Sequence, residues 1–408
     1  MDNDISITAH PIRIIPIGLG SRIEGDLKRR IIEKTNSYER DHFSAHDRLL
    51  MPGCFVAGKV KDGFRFRIFE NGMCVILMEE PEMVLNGLRF SMKYCLDRKE
   101  KHKMIKDWDH PMSDLIWELV NDLIDTVYQW KIENTKESKK QDKGKPTISY
   151  TMTLSFLKME GCEDINEIFD VPDMKRNIIA MLDPAVLSLE DYQEFDSLTQ
   201  EETEEKFMDI DLDVNVTDYE KRTHLCTFMS WSSVIVFGNY SEKDVRDYMC
   251  LEAALQSYWR QIELIDEEMP EDIRTIKERK IFAADLQRSA NEVEMLIEKV
   301  SNVRFSDFPS RYVDIQEGLV RTSGLINNAR KYVRRATALS NMIQLENQQR
   351  QNRYALTSEL LLLAIALMQI LPAINSIRTG TSEWVDDVIL FSIFIIAAIV
   401  LRMRNRMY

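Results

Sequence analysis

The sequence predicts an α+β domain followed by a long stalk helix and a two-helix transmembrane hairpin. Three observations support this fold class. Residues 1–240 mix short apolar runs with an amphipathic helical pattern, no proline occurs between Ser310 and Pro372, and two apolar runs lie near the C-terminus. We therefore expect the 408-residue chain to contain an α/β sensing domain at 1–240, a helical stalk region at 241–354 and a transmembrane region at 355–408.

Short strands are predicted in the first domain. The apolar run at 12–17 ends before Gly18. Runs at 64–69 and 73–78 flank Asn71-Gly72, a pair that favours a two-residue hairpin turn because it accepts positive φ. Further strand candidates lie at 148–157 and 225–237.

Helical patterns are predicted at 111–131 and throughout the region after residue 240. In the first of these, apolar residues recur every four positions and form one face: Leu115, Leu119, Leu123 and Val127. Ser241 and Asp244 have the spacing of a capping box, and helices follow at about 243–265 and 272–300.

A heptad pattern follows the helix predicted at 272–300. Its small and apolar residues alternate at spacings of four and three: Ile315, Leu319, Thr322, Ile326, Ala329, Val333, Ala336, Ser340 and Ile343. Such a seam indicates a helix that packs along other helices. Two interpretations stay open, packing on the chain's own domain or a coiled contact between subunits.

Two apolar runs predict the transmembrane hairpin. Residues 360–377 are uncharged over about 27 Å of helix, and residues 388–401 form a shorter partner near Trp384. Positive residues precede the first apolar run and follow the second: Arg350, Arg353, Arg402, Arg404 and Arg406. We therefore expect a multi-pass protein of the inner membrane with both termini cytoplasmic.

Composition excludes several functional classes. The net charge is −14, and acidic residues are concentrated before residue 310, which is unfavourable for direct nucleic-acid binding. The six cysteines lack paired spacing with each other or with histidines, so we expect reduced thiols and no zinc site. No phosphate-binding loop or nucleophile–base spacing occurs, and we expect neither enzymatic activity nor a cofactor.

The order of these elements resembles the CorA-like family of divalent-cation channels. That family has a Gly-Met-Asn triplet at the outer end of its first span, where this chain reads Ala373-Ile374-Asn375 and keeps the asparagine. The resemblance implies a homopentamer and Mg²⁺ or another divalent cation as permeant or regulatory ion. A divergent branch accompanies type III CRISPR antiviral defence, which implies a nucleotide second messenger as a further partner.

One face of the first apolar run is predicted to line a pore. Asn375 shares that face with Met368, Ala364, Leu361 and Thr357, which would form an outer amide ring, an apolar constriction and an inner hydroxyl ring. The same face could instead contact lipid or the neighbouring span. At the outer mouth, three acidic residues would attract cations or only influence topology: Glu383, Asp386 and Asp387.

Two charged segments outside the hairpin are further candidates. A basic stretch could bind an anionic ligand or lipid headgroups, or be a solvated face: Arg330, Lys331, Arg334 and Arg335. Acidic residues alternate with apolar ones and indicate a strand that could hold a regulatory cation: Asp209, Asp211 and Asp213. A calcium loop would need glycine where Val214 stands.

Two functional hypotheses follow from the sequence. The first is an oligomeric cation channel that ligand binding to the cytoplasmic domain opens, in the CRISPR-associated case as an antiviral effector. The second is a membrane-anchored sensor or scaffold without a conducting pore.

Overall fold

The computed structural model describes eleven ranges of the chain. These are residues 6–61, 63–86, 90–134, 146, 148–159, 181–182, 215–217, 225–230, 232–270, 282–301 and 310–377. For residues 367–377 the description covers the helical backbone.

The described residues form ten strands and eight helices. The strands are β1 (Ser6–Gly18), β2 (Glu39–Arg40), β3 (Cys54–Lys59), β4 (Arg65–Phe69), β5 (Met73–Glu79), β6 (Met83–Asn86), β7 (Met152–Met159), β8 (Asn215–Thr217), β9 (Leu225–Met229) and β10 (Ser233–Gly238). The helices are α1 (Gly25–Thr35), α2 (Ala45–Leu50), α3 (Phe90–Lys106), α4 (Ser113–Asn134), α5 (Glu242–Glu268), α6 (Ala283–Ser301), α7 (Ser310–Thr322) and α8 (Leu325–Ile377).

The strands form one mixed sheet around β1. The order is β2-β3-β4-β5-β1-β7-β10-β9-β8, and β6 pairs with the first residues of β1. The pair β7–β10 is parallel, whereas the other pairs are antiparallel. With 13 residues, β1 is longer than the predicted run at 12–17, because its first part pairs with β6 and β7.

Helices cover both faces of the sheet. Alternate residues of β1, such as Ile15 and Ile17, pack in a buried apolar cluster with residues of α1 and α4. On the opposite face α5 crosses β1 and β5. There Gly18 allows close approach, because a Cβ at this position would lie 2.5 Å from Leu264 Cδ1. The capping box predicted for Ser241 and Asp244 is present at the start of α5.

The chain forms two compact units. The first comprises Met1–Pro270 and Gln287–Ala336, and contains the sheet. The second comprises Glu271–Leu286 and Thr337–Tyr408. The helices α6 and α8 each contribute residues to both units.

The structure contradicts the predicted transmembrane hairpin and the multi-pass inner-membrane localisation. Among the residues it describes, no helix has the length and apolar character needed to cross a membrane. Charged residues continue along α8 as far as Glu359. The second predicted span, 388–401, lies outside the described residues.

Candidate functional site

The C-terminal part of α8 has an exposed apolar surface. Several large apolar side chains there are exposed: Met342, Leu345, Tyr354, Leu361, Leu362, Leu363 and Ile365. An apolar surface of this kind is typical of a place where another molecule binds.

The heptad seam divides into a packed part and an exposed part. In the first unit, Ala329 and Ala336 are fully buried, and the hydroxyls of Tyr332 and Ser289 lie 2.6 Å apart. In the second unit, the buried Ser340 hydroxyl donates to the carbonyl oxygen of Ala283 at 3.1 Å. Up to Ser340, therefore, this helix packs within its own chain, as one of the two interpretations predicted.

The predicted pore-lining residues lie on a continuation of this seam. Extending the alternating spacing from Ile343 reaches six further positions: Asn347, Arg350, Tyr354, Thr357, Leu361 and Ala364. Of these, Ala364 is half-buried and the other five are exposed. The next predicted residues, Met368 and Asn375, lie within the helical backbone of α8. The predicted pore face therefore continues the part of the seam that lies on α8, whereas the first three seam residues, Ile315, Leu319 and Thr322, lie on α7.

Several predicted sites lie outside the described residues. They are the outer-mouth residues Glu383, Asp386 and Asp387 and the regulatory-cation candidates Asp209, Asp211 and Asp213. The pore, the cation and the resemblance to the CorA-like family stay predictions.

The four residues of the predicted basic stretch are all exposed, but they have different surroundings. Arg335 lies 3.5 Å from Asp266 Oδ1 and contacts the carbonyl oxygen of Pro270. Lys331 and Arg334 are exposed. Arg330 lines a cleft with residues of two other helices, which sequence reasoning did not anticipate.

This cleft has a volume of about 300 Å³ and lies in the first unit. The end of α6, the C-terminal half of α7 and the first turns of α8 form its walls. Its lining residues are Val300, Ser301, Glu317, Val320, Arg321, Gly324, Ile326, Asn327 and Arg330. Gly324 joins α7 to α8 with φ of +67°, a conformation that favours glycine and turns the chain between the two helices.

A buried charge network between the sheet and α3 was also missed. The Arg13 guanidinium lies 2.8 Å from Glu80 Oε1 and donates to the Thr153 hydroxyl at 3.3 Å. Lys101 on α3 lies 2.9 Å from the second oxygen of Glu80. The available signal was Arg13 itself, because an arginine within a buried apolar strand needs an acidic partner.

A histidine–aspartate pair connects α2, α5 and α7. Asp247 is fully buried, with His46 Nε2 at 3.2 Å from one oxygen and the Tyr312 hydroxyl donating to the other. The histidine and aspartate atoms are close but not aligned for a hydrogen bond. Burial raises the pKa of the neighbouring Cys250 thiol, so this cysteine is not an activated nucleophile. The cluster therefore favours a connection between helices over catalysis.

A second buried carboxyl lies further along α5. Glu252 is fully buried, and burial raises its pKa to about 7. Its Oε2 accepts a hydrogen bond from the Gln256 amide at 3.2 Å, whereas its Oε1 has no partner in the described structure. This carboxyl is protonated at slightly acidic pH, because the apolar surroundings disfavour its charge.

Within the described ranges, no three histidine, cysteine or acidic side chains come together as a metal site. Comparison with known proteins finds no matching family model, curated protein or solved structure.

Proposed function

We propose that this chain is a self-assembling scaffold protein in which α8 joins copies of the chain. The observation that carries the proposal is the change along one continuous heptad register. Up to Ser340 its positions are buried or half-buried within the chain, whereas all five positions from Asn347 to Leu361 are exposed. Where such a stripe is exposed, the same stripe on α8 of another copy can pack against it.

The chemistry of the exposed stripe favours a protein partner. It begins with Asn347 and Arg350, continues through Tyr354 and Thr357, and becomes apolar at Leu361. Polar residues at the seam of a coiled contact specify its register, at some cost in stability. A charged residue such as Arg350 would be costly against hydrocarbon, whereas it can pair at a helical interface.

The intrahelical contacts of α8 are compatible with such an interface. Arg350 donates to Glu346 Oε1 at 3.1 Å, one turn before it, and the Thr357 hydroxyl donates to the carbonyl oxygen of Arg353 at 2.8 Å. These contacts satisfy the polar groups locally, so that the helix can present its stripe without rearrangement.

The mass of the full-length protein in solution tests the proposal. We expect light scattering and sedimentation to give a multiple of the 47.8 kDa chain mass. Leu361→Glu, on the stripe, should reduce the mass towards that of one chain, because each copy would place a charge at the interface. Leu362→Glu is the matched control, since Leu361 and Leu362 are 60% and 66% exposed but about 100° apart on the helix.

Three outcomes would contradict the proposal. A wild-type mass of one chain, or equal loss of mass in both variants, would exclude assembly through this stripe. In the third, the wild-type chain co-floats with phosphatidylcholine vesicles, and Leu361→Glu and Leu362→Glu reduce this co-flotation equally. That result would assign the apolar surface to lipid.

Cysteine cross-linking gives a second test with different chemistry. Tyr354 is 74% exposed on the stripe, and in a parallel assembly Tyr354→Cys should form a disulfide with its equivalent in the neighbouring copy. Asn352→Cys, exposed and about 200° away, should not. Equal cross-linking at both positions would contradict a specific parallel contact.

A further inference from the structure

The cleft at the α7–α8 junction has an excess of positive charge. Two guanidinium groups line it, those of Arg321 and Arg330, and neither forms an ion pair with any residue in the described part of the chain. One carboxylate, that of Glu317, lies in the same wall. Among the described lining residues there are therefore two cationic groups and one anionic group.

The direction of α8 adds to this field. Residues Ile326 and Asn327 of its first turn line the cleft. The first amides of a helix lack intrahelical acceptors, and the helix dipole places partial positive charge there. Two guanidinium groups beside the start of a 53-residue helix give a concave surface that favours an anion.

The remaining lining residues define the shape of a ligand. Val300, Val320 and Ile326 give the cleft an apolar wall, and Ser301 and Asn327 provide neutral hydrogen-bonding groups. A volume of about 300 Å³ is at the lower end of the range for small-molecule sites. The Ser301 hydroxyl and the Asn327 side-chain amide would form hydrogen bonds with a hydroxyl or amino group of the same molecule.

We propose that this cleft binds a small organic anion, a phosphate or carboxylate with hydroxyl or amino substituents, through Arg321, Arg330 and the start of α8. Guanidinium groups bind both kinds of anion by paired hydrogen bonds. The proposal stands on the cleft alone and does not depend on assembly through α8.

Isothermal titration of the full-length protein tests the site. Inorganic phosphate, pyrophosphate and citrate are titrated separately at constant ionic strength, so that phosphate and carboxylate chemistry are distinguished. We expect saturable binding of at least one probe, with one site per chain. Arg321→Gln and Arg330→Gln should each weaken it by about tenfold or more, since each removes a charged hydrogen-bond donor.

Arg334→Gln is the matched control, because Arg334 is an exposed arginine of α8 that does not line the cleft. The Arg334→Gln variant should bind the same probe with the affinity of the wild type, and circular dichroism should show the same helix content in all variants. Absence of saturable binding for all three probes would overturn the proposal. Equal weakening in Arg334→Gln would also overturn it, because that pattern indicates a general response to positive charge.

Discussion

Glu252 illustrates how one buried side chain makes stability depend on pH. In the folded chain this carboxyl keeps its proton up to about pH 7, whereas in the unfolded chain it loses the proton near its ordinary pKa of 4.5. The stabilisation that comes from the protonated carboxyl is therefore fully present below pH 4.5 and declines as the pH rises to about 7. Above that pH it has been lost and no longer changes. The decline amounts to about 3 kcal/mol in the free energy of unfolding.

Glu252→Gln should remove this dependence, because an amide stays neutral and can still bond to Gln256. We expect the variant to be more stable than the wild type by up to about 3 kcal/mol above pH 7, and by much less near pH 4.5. Urea unfolding across this pH interval measures the difference. Glu298→Gln, at an exposed position of α6, is the control and should change little. A constant difference between Glu252→Gln and wild type at all pH values would contradict the assignment.

Single residues also show what sequence can and cannot reveal. The apolar run at 12–17 predicts a strand, but the sequence analysis did not recognise Arg13 within it as a residue that needs a buried acidic partner. The partner, Glu80, is 67 residues away and follows a different strand. Which acid meets Arg13 depends on the pairing of β1 with β5, and that register is set by the packing of whole faces.

Among the secondary-structure elements, the β4–β5 hairpin was predicted in position but not in detail. Asn71 and Gly72 were expected to form a two-residue turn, whereas the connection contains three residues, 70–72. The amide of Gly72 donates to the carbonyl oxygen of Phe69, and Asn71 Oδ1 accepts from the amide of Met73. Gly72 has φ of +84°, so the prediction of positive φ at this glycine is confirmed.

Gly72→Ala should destabilise the protein for two reasons. A Cβ at this position would lie 2.1 Å from the carbonyl oxygen of Ser21, and positive φ is costly for alanine. We expect a loss of about 2–4 kcal/mol in the free energy of unfolding. Gly20→Ala separates the two causes, because Gly20 has φ of +83° but open space around its Cα. Its loss should be about 1–2 kcal/mol, and equal losses would exclude the steric contribution.

The longest helix shows why periodicity alone leaves the partner open. A heptad stripe predicts that α8 packs against helices, and it does so up to Ser340. The spacing does not show whether the partner helix belongs to the same chain or to another copy, because either contact requires only apolar or small residues in register. The cleft at Gly324 was not predicted, since its walls come from three helices and depend on how they meet.

At the scale of the whole molecule, the order of elements led to a transmembrane hairpin that the described structure does not contain. The described part of α8 instead has an exposed apolar surface, in the unit that contains the C-terminal half of this helix. If that surface binds its equivalent in another copy, folding and assembly are linked through mass action.

This linkage predicts that thermal stability depends on protein concentration. Association of folded chains stabilises them relative to unfolded ones, and the stabilisation increases with concentration. We expect the Tm of the full-length protein to rise over a hundredfold range of concentration, as measured by scanning calorimetry. For Leu361→Glu the Tm should be lower and nearly independent of concentration, whereas Leu362→Glu should behave as the wild type. A Tm that is the same for all three proteins at every concentration would mean that the exposed stripe of α8 does not stabilise the fold through another copy.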